Sequence, residues 1–219
     1  KSAGDILKSP VKNKALILTY PTYSGDGVEN LEGIIKESRA AGAAVIVDEA
    51  HGAHNDIAPG FMPSAMNYGE DIVVQSYHKM LPALTGASVV FTNDRQLHRT
   101  MMKYIDYFET SSPSYLILAS IELAHQFYND FIPAEFHDKR RAIIDYLKAL
   151  EFTVSEGEDP AKITLNREGI SPYRLFEVLN SADIYSEMVT DAGVLWCLPL
   201  FHSGHSYPLG LLFERLKEL

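Results

Sequence analysis

The stretch Ala43-Ala44-Val45-Ile46-Val47-Asp48-Glu49-Ala50-His51-Gly52, with its later counterpart Asp71-Ile72-Val73-Val74-Gln75-Ser76-Tyr77-His78-Lys79, decides how this chain folds. Each begins as a short run of aliphatic, mostly β-branched residues and stops abruptly at polar side chains with chemistry to offer. Apolar runs of this length, without polar alternation, read as buried strands of a parallel sheet. Working backwards, Ala15-Leu16-Ile17-Leu18-Thr19 is another such run, closed by the turn-rich Tyr20-Pro21-Thr22-Tyr23-Ser24-Gly25. Between these strands, Val28 to Ala41 carries Leu31, Ile34 and Ile35 near helical spacing, and Gly42 stands where a helix C-cap belongs. Working forwards, a polar loop and a short helix separate the two quoted strands, and Ala87-Ser88-Val89-Val90-Phe91 supplies another strand. Strands alternating with helices predict an α/β fold with a mostly parallel sheet.

After Asn93 the pattern changes. Asp94 to Tyr107 and Tyr115 to Tyr128 read as helices separated by Thr110-Ser111-Ser112-Pro113-Ser114, and helical spacing resumes from Ala134 to Leu150. The remainder reads as strand (Ala161 to Leu165), helix (Pro172 to Leu179) and strand (Val194 to Leu198). Residues 1–132 are therefore expected to form part of a large domain, and residues 133–219 a small α+β domain.

Composition narrows the function classes. The net charge of −10, from 29 acidic and 19 basic residues, with no basic cluster beyond Lys139-Arg140-Arg141, argues against a nucleic-acid partner and modestly favours small cations. No apolar run approaches the roughly 20 residues that cross a bilayer, so no membrane partner is expected. The opening Lys1-Ser2-Ala3-Gly4-Asp5 lacks a signal-peptide core and an initiator Met, and reads as the interior of a longer chain. Cys197 is the single cysteine, which precludes an intrachain disulfide and suits the cytoplasm.

In open α/β sheets, ligands gather at the carboxyl ends of the strands. Asp48 and Lys79 are expected to emerge at one such edge. A carboxylate and an amine so placed meet the needs of pyridoxal phosphate, which requires an amine for its aldehyde and a negative charge against its pyridine nitrogen. Ser76 and His78 flank Lys79 and are candidates to donate to the phosphate, while small Ala50 would let the ring approach. Plainer readings exist for each. Lys79 could be a solvated loop lysine, Asp48 a turn cap, and Ser111 and Ser112 a helix N-cap. His51 and His54 lack the further ligands a metal site needs. Asp48-Glu49-Ala50-His51 also suits the magnesium-binding strand end of a nucleic-acid-dependent ATPase, but the Gly-x-x-x-x-Gly-Lys-Ser/Thr phosphate loop is missing from the chain.

Val47 to His54, Val74 to Ser88 and Thr110-Ser111-Ser112-Pro113-Ser114-Tyr115-Leu116, in this order, resemble the bacterial ornithine/lysine/arginine decarboxylases of pyridoxal-phosphate fold type I. The likeness runs from about Lys14 to Glu122 and more faintly beyond. It implies Lys79 as the Schiff-base lysine, Asp48 as the pyridine partner, and Ser76 and His78 at the phosphate. It further implies Ala50 and His51 along the ring, and Ser111 and Ser112 in a loop given to a neighbouring subunit of a homodimer. Gly86 stands where many relatives carry Gln, and the family's phosphate-cradling and ring-stacking residues lie upstream, without counterpart here. The implied activity is decarboxylation of a cationic amino acid to an amine of the kind used in polyamine metabolism, with Lys79 or His78 returning the proton to Cα. Transamination on the same fold and a non-catalytic role are the alternatives.

Overall fold

A computed structural model describes residues 14–203 and 205–219. The chain divides into two compact units, one reaching to Ile57 and resuming over Phe61–Asp130, the other made of Ala58–Gly60 and Phe131–Leu219. The first unit is built on strands β1 (Ala15–Thr19), β2 (Ala44–Asp48), β3 (Ile72–Gln75) and β4 (Val89–Phe91), hydrogen-bonded in that order. β1, β2 and β3 run parallel, and β4 is antiparallel to β3. The reversal has a local cause. A parallel return needs a crossover of a dozen or more residues, usually with a full helix. Here the connection holds only the single helical turn α2 (Tyr77–Met80), and both the backbone N–H and Nδ1 of His78 bond the Ala87 carbonyl, at 3.3 and 2.8 Å, tying the segment back on itself.

Helix α1 (Leu31–Ala40) follows β1, three residues shorter at its start than the spacing predicts, because Asn30 adopts a left-handed conformation ahead of it. Gly42 does end the helix at a φ of 83°, where a side chain would be strained. The buried side chains Leu31, Ile34 and Ile35 share a core with Leu18, Val45, Val47 and Val73. Register fixes which residues face away from that core. Ile17 pairs with Ile46, Thr19 with Asp48 and Asp48 with Val74, so these residues lie on the other face of the sheet. The reading of β1 as a buried strand is corrected at Ile17, which is 68% exposed on this face.

Helices α3 (Arg95–Phe108) and α4 (Tyr115–Asp130) complete this unit. Asp94 caps α3, its carboxylate accepting from the N–H groups of Gln96 and Leu97 at 2.7 and 2.9 Å, which holds its carboxyl below the ordinary value. In the second unit, α5 (Pro133–Ala149), α6 (Pro172–Ser181) and α7 (Leu209–Lys217) accompany an antiparallel sheet of β5 (Phe152–Glu156), β6 (Lys162–Arg167), β7 (Met188–Thr190) and β8 (Gly193–Cys197), ordered β5-β6-β8-β7. The strand–helix–strand reading thus missed β5, β7 and α7. β5 alternates Thr153 and Ser155 with Phe152 and Val154, and β7 has three residues, so both sheet edges lack the apolar run that marks β8.

Candidate active site

The carboxyl ends of β1, β2 and β3 lie side by side, and the reactive residues follow from that. Alternation along β2 sends Asp48 to the open face and places Glu49, the next residue, on the core side with Gln75. Asp48 is half-buried, and its Oδ1 accepts the Ala50 N–H at 3.1 Å. Glu49 is fully buried. Its Oε1 accepts from Asn55 Nδ2 at 3.0 Å and the Ala65 N–H at 2.8 Å, and its Oε2 from Ser64 Oγ at 2.8 Å and Gln75 Nε2 at 2.6 Å. One carboxylate therefore joins the end of β2, the end of β3 and the loop between them. Gly52 is part of this arrangement, because a Cβ there would lie 2.5 Å from Glu49 Cγ and 2.6 Å from Asn55 Nδ2. The loop carrying His51 is thus held from beneath.

Lys79, on the exposed side of α2, turns its Nζ to within 3.2 Å of His51 Nε2. An ammonium only donates, so this contact requires a lone pair on Nε2. His51 is buried, and the Tyr23 ring stands against it with centroids 4.2 Å apart. Tyr23 comes from the turn after β1, so three neighbouring strand ends contribute to one cluster: Tyr23, Asp48 with His51, and Lys79. His54 turns elsewhere and meets Phe61 edge to face at 5.9 Å, so the two histidines do not converge as a metal pair. Among the described residues no group of three or more His, Cys, Asp or Glu is placed to hold a metal ion.

Ser76 precedes α2, is half-buried, and makes no side-chain capping bond to that turn. His78 is half-buried, with Nδ1 donating to the Ala87 carbonyl at 2.8 Å and Nε2 not engaged in that bond. Gly86 has a φ of 94°, a region that favours glycine, so Gln in this conformation would be strained. Ser111 and Ser112 lie in the exposed connection between α3 and α4, where the Ser112 N–H bonds Thr110 Oγ1 at 3.2 Å. Within one chain they are not drawn into the Lys79 cluster by any recorded contact. The sequence reading overlooked Tyr23, Glu49 as a structural anchor, and Gln75. Tyr23 had a usable signal, its place in the turn ending the strand beside β2.

The donor set fits pyridoxal phosphate: an exposed primary amine, a half-buried carboxylate on the neighbouring strand, a small residue after it, and a hydroxyl that caps nothing. It does not fit magnesium-assisted hydrolysis, because Glu49, the residue required to activate water, is sealed in the core by donors of the protein itself.

Burial pushes the Glu49 carboxyl above the ordinary glutamate value, and its four hydrogen bonds pull it part of the way back. The folded chain thus holds this proton more tightly than the unfolded chain. The contribution to stability is complete below the ordinary glutamate value and is lost as pH rises through the folded value. Glu49→Gln does not titrate, so the wild-type minus Gln difference in unfolding free energy should fall as pH rises from about 4. Glu49→Leu, which orphans every donor, is expected to cost roughly 3–5 kcal/mol in urea unfolding, against about 1–2 for Gln.

Comparison with solved structures shows a fold of type I, shared with known pyridoxal-phosphate structures. A serine palmitoyltransferase from S. paucimobilis, with a bound PLP–myriocin adduct, superposes with a TM-score of 0.68 over 97% of this chain and 56% of its own, at 18% identity. YbdL from Escherichia coli, described with a methionine aminotransferase function, superposes with a TM-score of 0.67 over 99% of this chain and 61% of its own, at 15% identity. Residues 4–151 match the model of the Orn/Lys/Arg decarboxylase major domain, and the chain belongs to that family. The uncharacterized protein YaaO of Bacillus subtilis (strain 168) is 36% identical over 201 residues, 85% of this chain and 42% of its own length. An arginine decarboxylase of the same organism is 33% identical over 114 residues, 52% of this chain and 23% of its own. The chain spans less than half the length of these relatives. No helix among the described residues is long and apolar enough to cross a membrane.

Proposed function

We propose that the protein containing this chain is a pyridoxal-phosphate-dependent decarboxylase of a basic amino acid, arginine, lysine or ornithine. The observation that carries the reading is the juxtaposition of Asp48 and the Lys79–His51 pair at the ends of adjacent parallel strands. Lys79 is the residue that would hold the cofactor, through its primary amine. The cofactor supplies an electron sink for the bond broken at Cα. Asp48 keeps a negative charge against the pyridine nitrogen, and Ala50 leaves room above the strand end for the ring. His51, braced by Tyr23, orients the Lys79 amine and borders the ring. Ser76 donates its hydroxyl to the phosphate. His78 contributes from Nε2, and since Nδ1–H is committed to Ala87, that contact requires the protonated ring. Lys79 Nζ would then return a proton to Cα, with His78 Nε2 the other candidate in place of its phosphate contact.

The partners proposed are the cationic substrate and a second copy of the chain, in a cytoplasmic homodimer in which Ser111 and Ser112 reach the neighbour's site. Supporting this, Tyr107, Phe108, Tyr115 and Leu116, on both sides of those serines, are 65–88% exposed, and so much clustered apolar surface is unusual on a free monomer. The test is borohydride reduction of the full-length, cofactor-loaded protein followed by peptide mapping. The pyridoxyl label is expected on Lys79. A label on Lys103 or another lysine would remove Lys79 from the site. Assay of the same preparation for carbon dioxide or keto acid separates decarboxylation from transamination.

A further inference from the structure

Lys79 and His51 reach each other from two different segments. Lys79 sits in the single turn α2, far below the length at which a helix is stable by itself, and His51 sits in the loop after β2. Both segments are tied to α4. Tyr77, in the same turn as Lys79, is buried and pairs its hydroxyl with His125 Nε2 at 3.0 Å, the rings edge to face at 5.3 Å. Beyond the turn, the Leu84 N–H donates to Ser120 Oγ at 3.1 Å, and that hydroxyl donates to the Ile117 carbonyl at 2.7 Å. On the other segment, Tyr128 Oη donates to the Asn55 carbonyl at 2.6 Å, and the Asn55 N–H bonds the Gly52 carbonyl, next to His51, at 2.9 Å. Ser120, Ala124 and Tyr128 recur at every fourth residue on one face of α4, of which Ser120 and Ala124 are buried, and His125 borders that face. Burial pushes the Tyr77 phenol up and the Tyr128 phenol up to about 12, so both hydroxyls keep their protons for these bonds.

One continuous helix therefore holds both sides of the 3.2 Å contact between Lys79 Nζ and His51 Nε2. The Glu49 network ties the His51 loop to β3, but its donors Asn55, Ser64, Ala65 and Gln75 all lie outside α2. The amine and the imidazole are set against each other only where α4 meets both segments. A misplacement of about 1 Å at a reacting group is costly, so the setting matters to chemistry. We propose that His125 and Tyr128 are positioning residues, which fix the Lys79 amine against His51 from a common helix. The part this plays in the reaction rests on Lys79 being the cofactor lysine, whereas the positioning itself is readable without cofactor.

The test reads the lysine directly, in the full-length protein without cofactor. A limiting dose of an acetylating reagent is followed by peptide mapping, with acetylation of Lys79 expressed against that of the exposed Lys103 on α3. His51→Ala removes the partner and sets the scale, a change in that ratio of roughly fivefold for one ordinary hydrogen bond. His125→Phe and Tyr128→Phe are each expected to carry the ratio most of that way in the same direction. His125→Gln, whose amide can meet the Tyr77 hydroxyl, should stay with wild type. Tyr128→Phe is the sharper variant, because the hydroxyl it removes touches the His51 loop while the readout lies on the other segment. A residue serving stability alone would lower the thermal midpoint and leave the ratio in place. A ratio unmoved in both Phe variants or in His51→Ala, or a Gln variant displaced as far as Phe, would overturn the positioning. In the cofactor-loaded protein the two Phe variants should lower kcat about 3- to 10-fold and leave KM near wild type, and an unchanged kcat would overturn the part in the reaction. A pyridoxyl label on another lysine would remove the cofactor reading instead, with the acetylation result still standing.

Discussion

Lys79→Ala in the full-length, cofactor-loaded protein is expected to lose the visible absorbance of the lysine-bound cofactor, and at least about 10³-fold in turnover, while the fold survives. The two halves of the expectation have separate causes. On the proposed reading, removing Lys79 would take away both the covalent anchor and one of the two groups proposed to return a proton to Cα. The fold survives because Lys79 is exposed and its recorded side-chain contact is the one to His51. The stabilising burial of α2 comes from Tyr77, 5% exposed, whose hydroxyl pairs with His125 Nε2 at 3.0 Å. Unfolding midpoints within about 0.5 kcal/mol of wild type are therefore expected, as for surface substitutions in general. Added methylamine or ethylamine should restore part of the turnover, since a small free amine can occupy the space left by the side chain. A variant that keeps its absorbance and turnover would show that another lysine serves.

How much of this was legible beforehand varies with the physics of each element. β1, β2 and β3 were readable because buried strands need uninterrupted apolar residues, and Asp48 and Lys79 stood out because each ends or follows such a run. The parallel order that brings them together also followed, since consecutive strands in strand–helix–strand units lie side by side. Glu49 was opaque for the opposite reason. Next to Asp48 in sequence, it differs from it only through alternation, and its partners Asn55, Ser64, Ala65 and Gln75 are gathered by the loop and the next strand, which no local pattern announces. The edge strands β5 and β7 escaped because half-exposed edges tolerate polar residues. His51 was visible as part of the family resemblance, but its bracing by Tyr23 joins two loops and needed the structure.

Asp48→Asn tests the electron-sink half of the site with little disturbance to anything else. The side chain is half-buried, and one oxygen accepts the Ala50 N–H at 3.1 Å. Asparagine can keep that bond with its carbonyl oxygen, which forces its NH2 into the place of the other carboxylate oxygen. A protonated pyridine nitrogen would then meet a donor instead of an acceptor, and the negative charge that held its proton would be gone. The variant should still form the link to Lys79 but should lose roughly 10²–10³-fold in turnover, the effect of removing one well-placed electrostatic partner from a reacting centre. The loss should appear in kcat more than in KM, because the charge acts on the bond-breaking step rather than on substrate binding. Stability should change little, since the network that holds the loop passes through Glu49 and not through Asp48. Near-normal kcat in this variant would dismiss Asp48 as the pyridine partner, even with Lys79 confirmed.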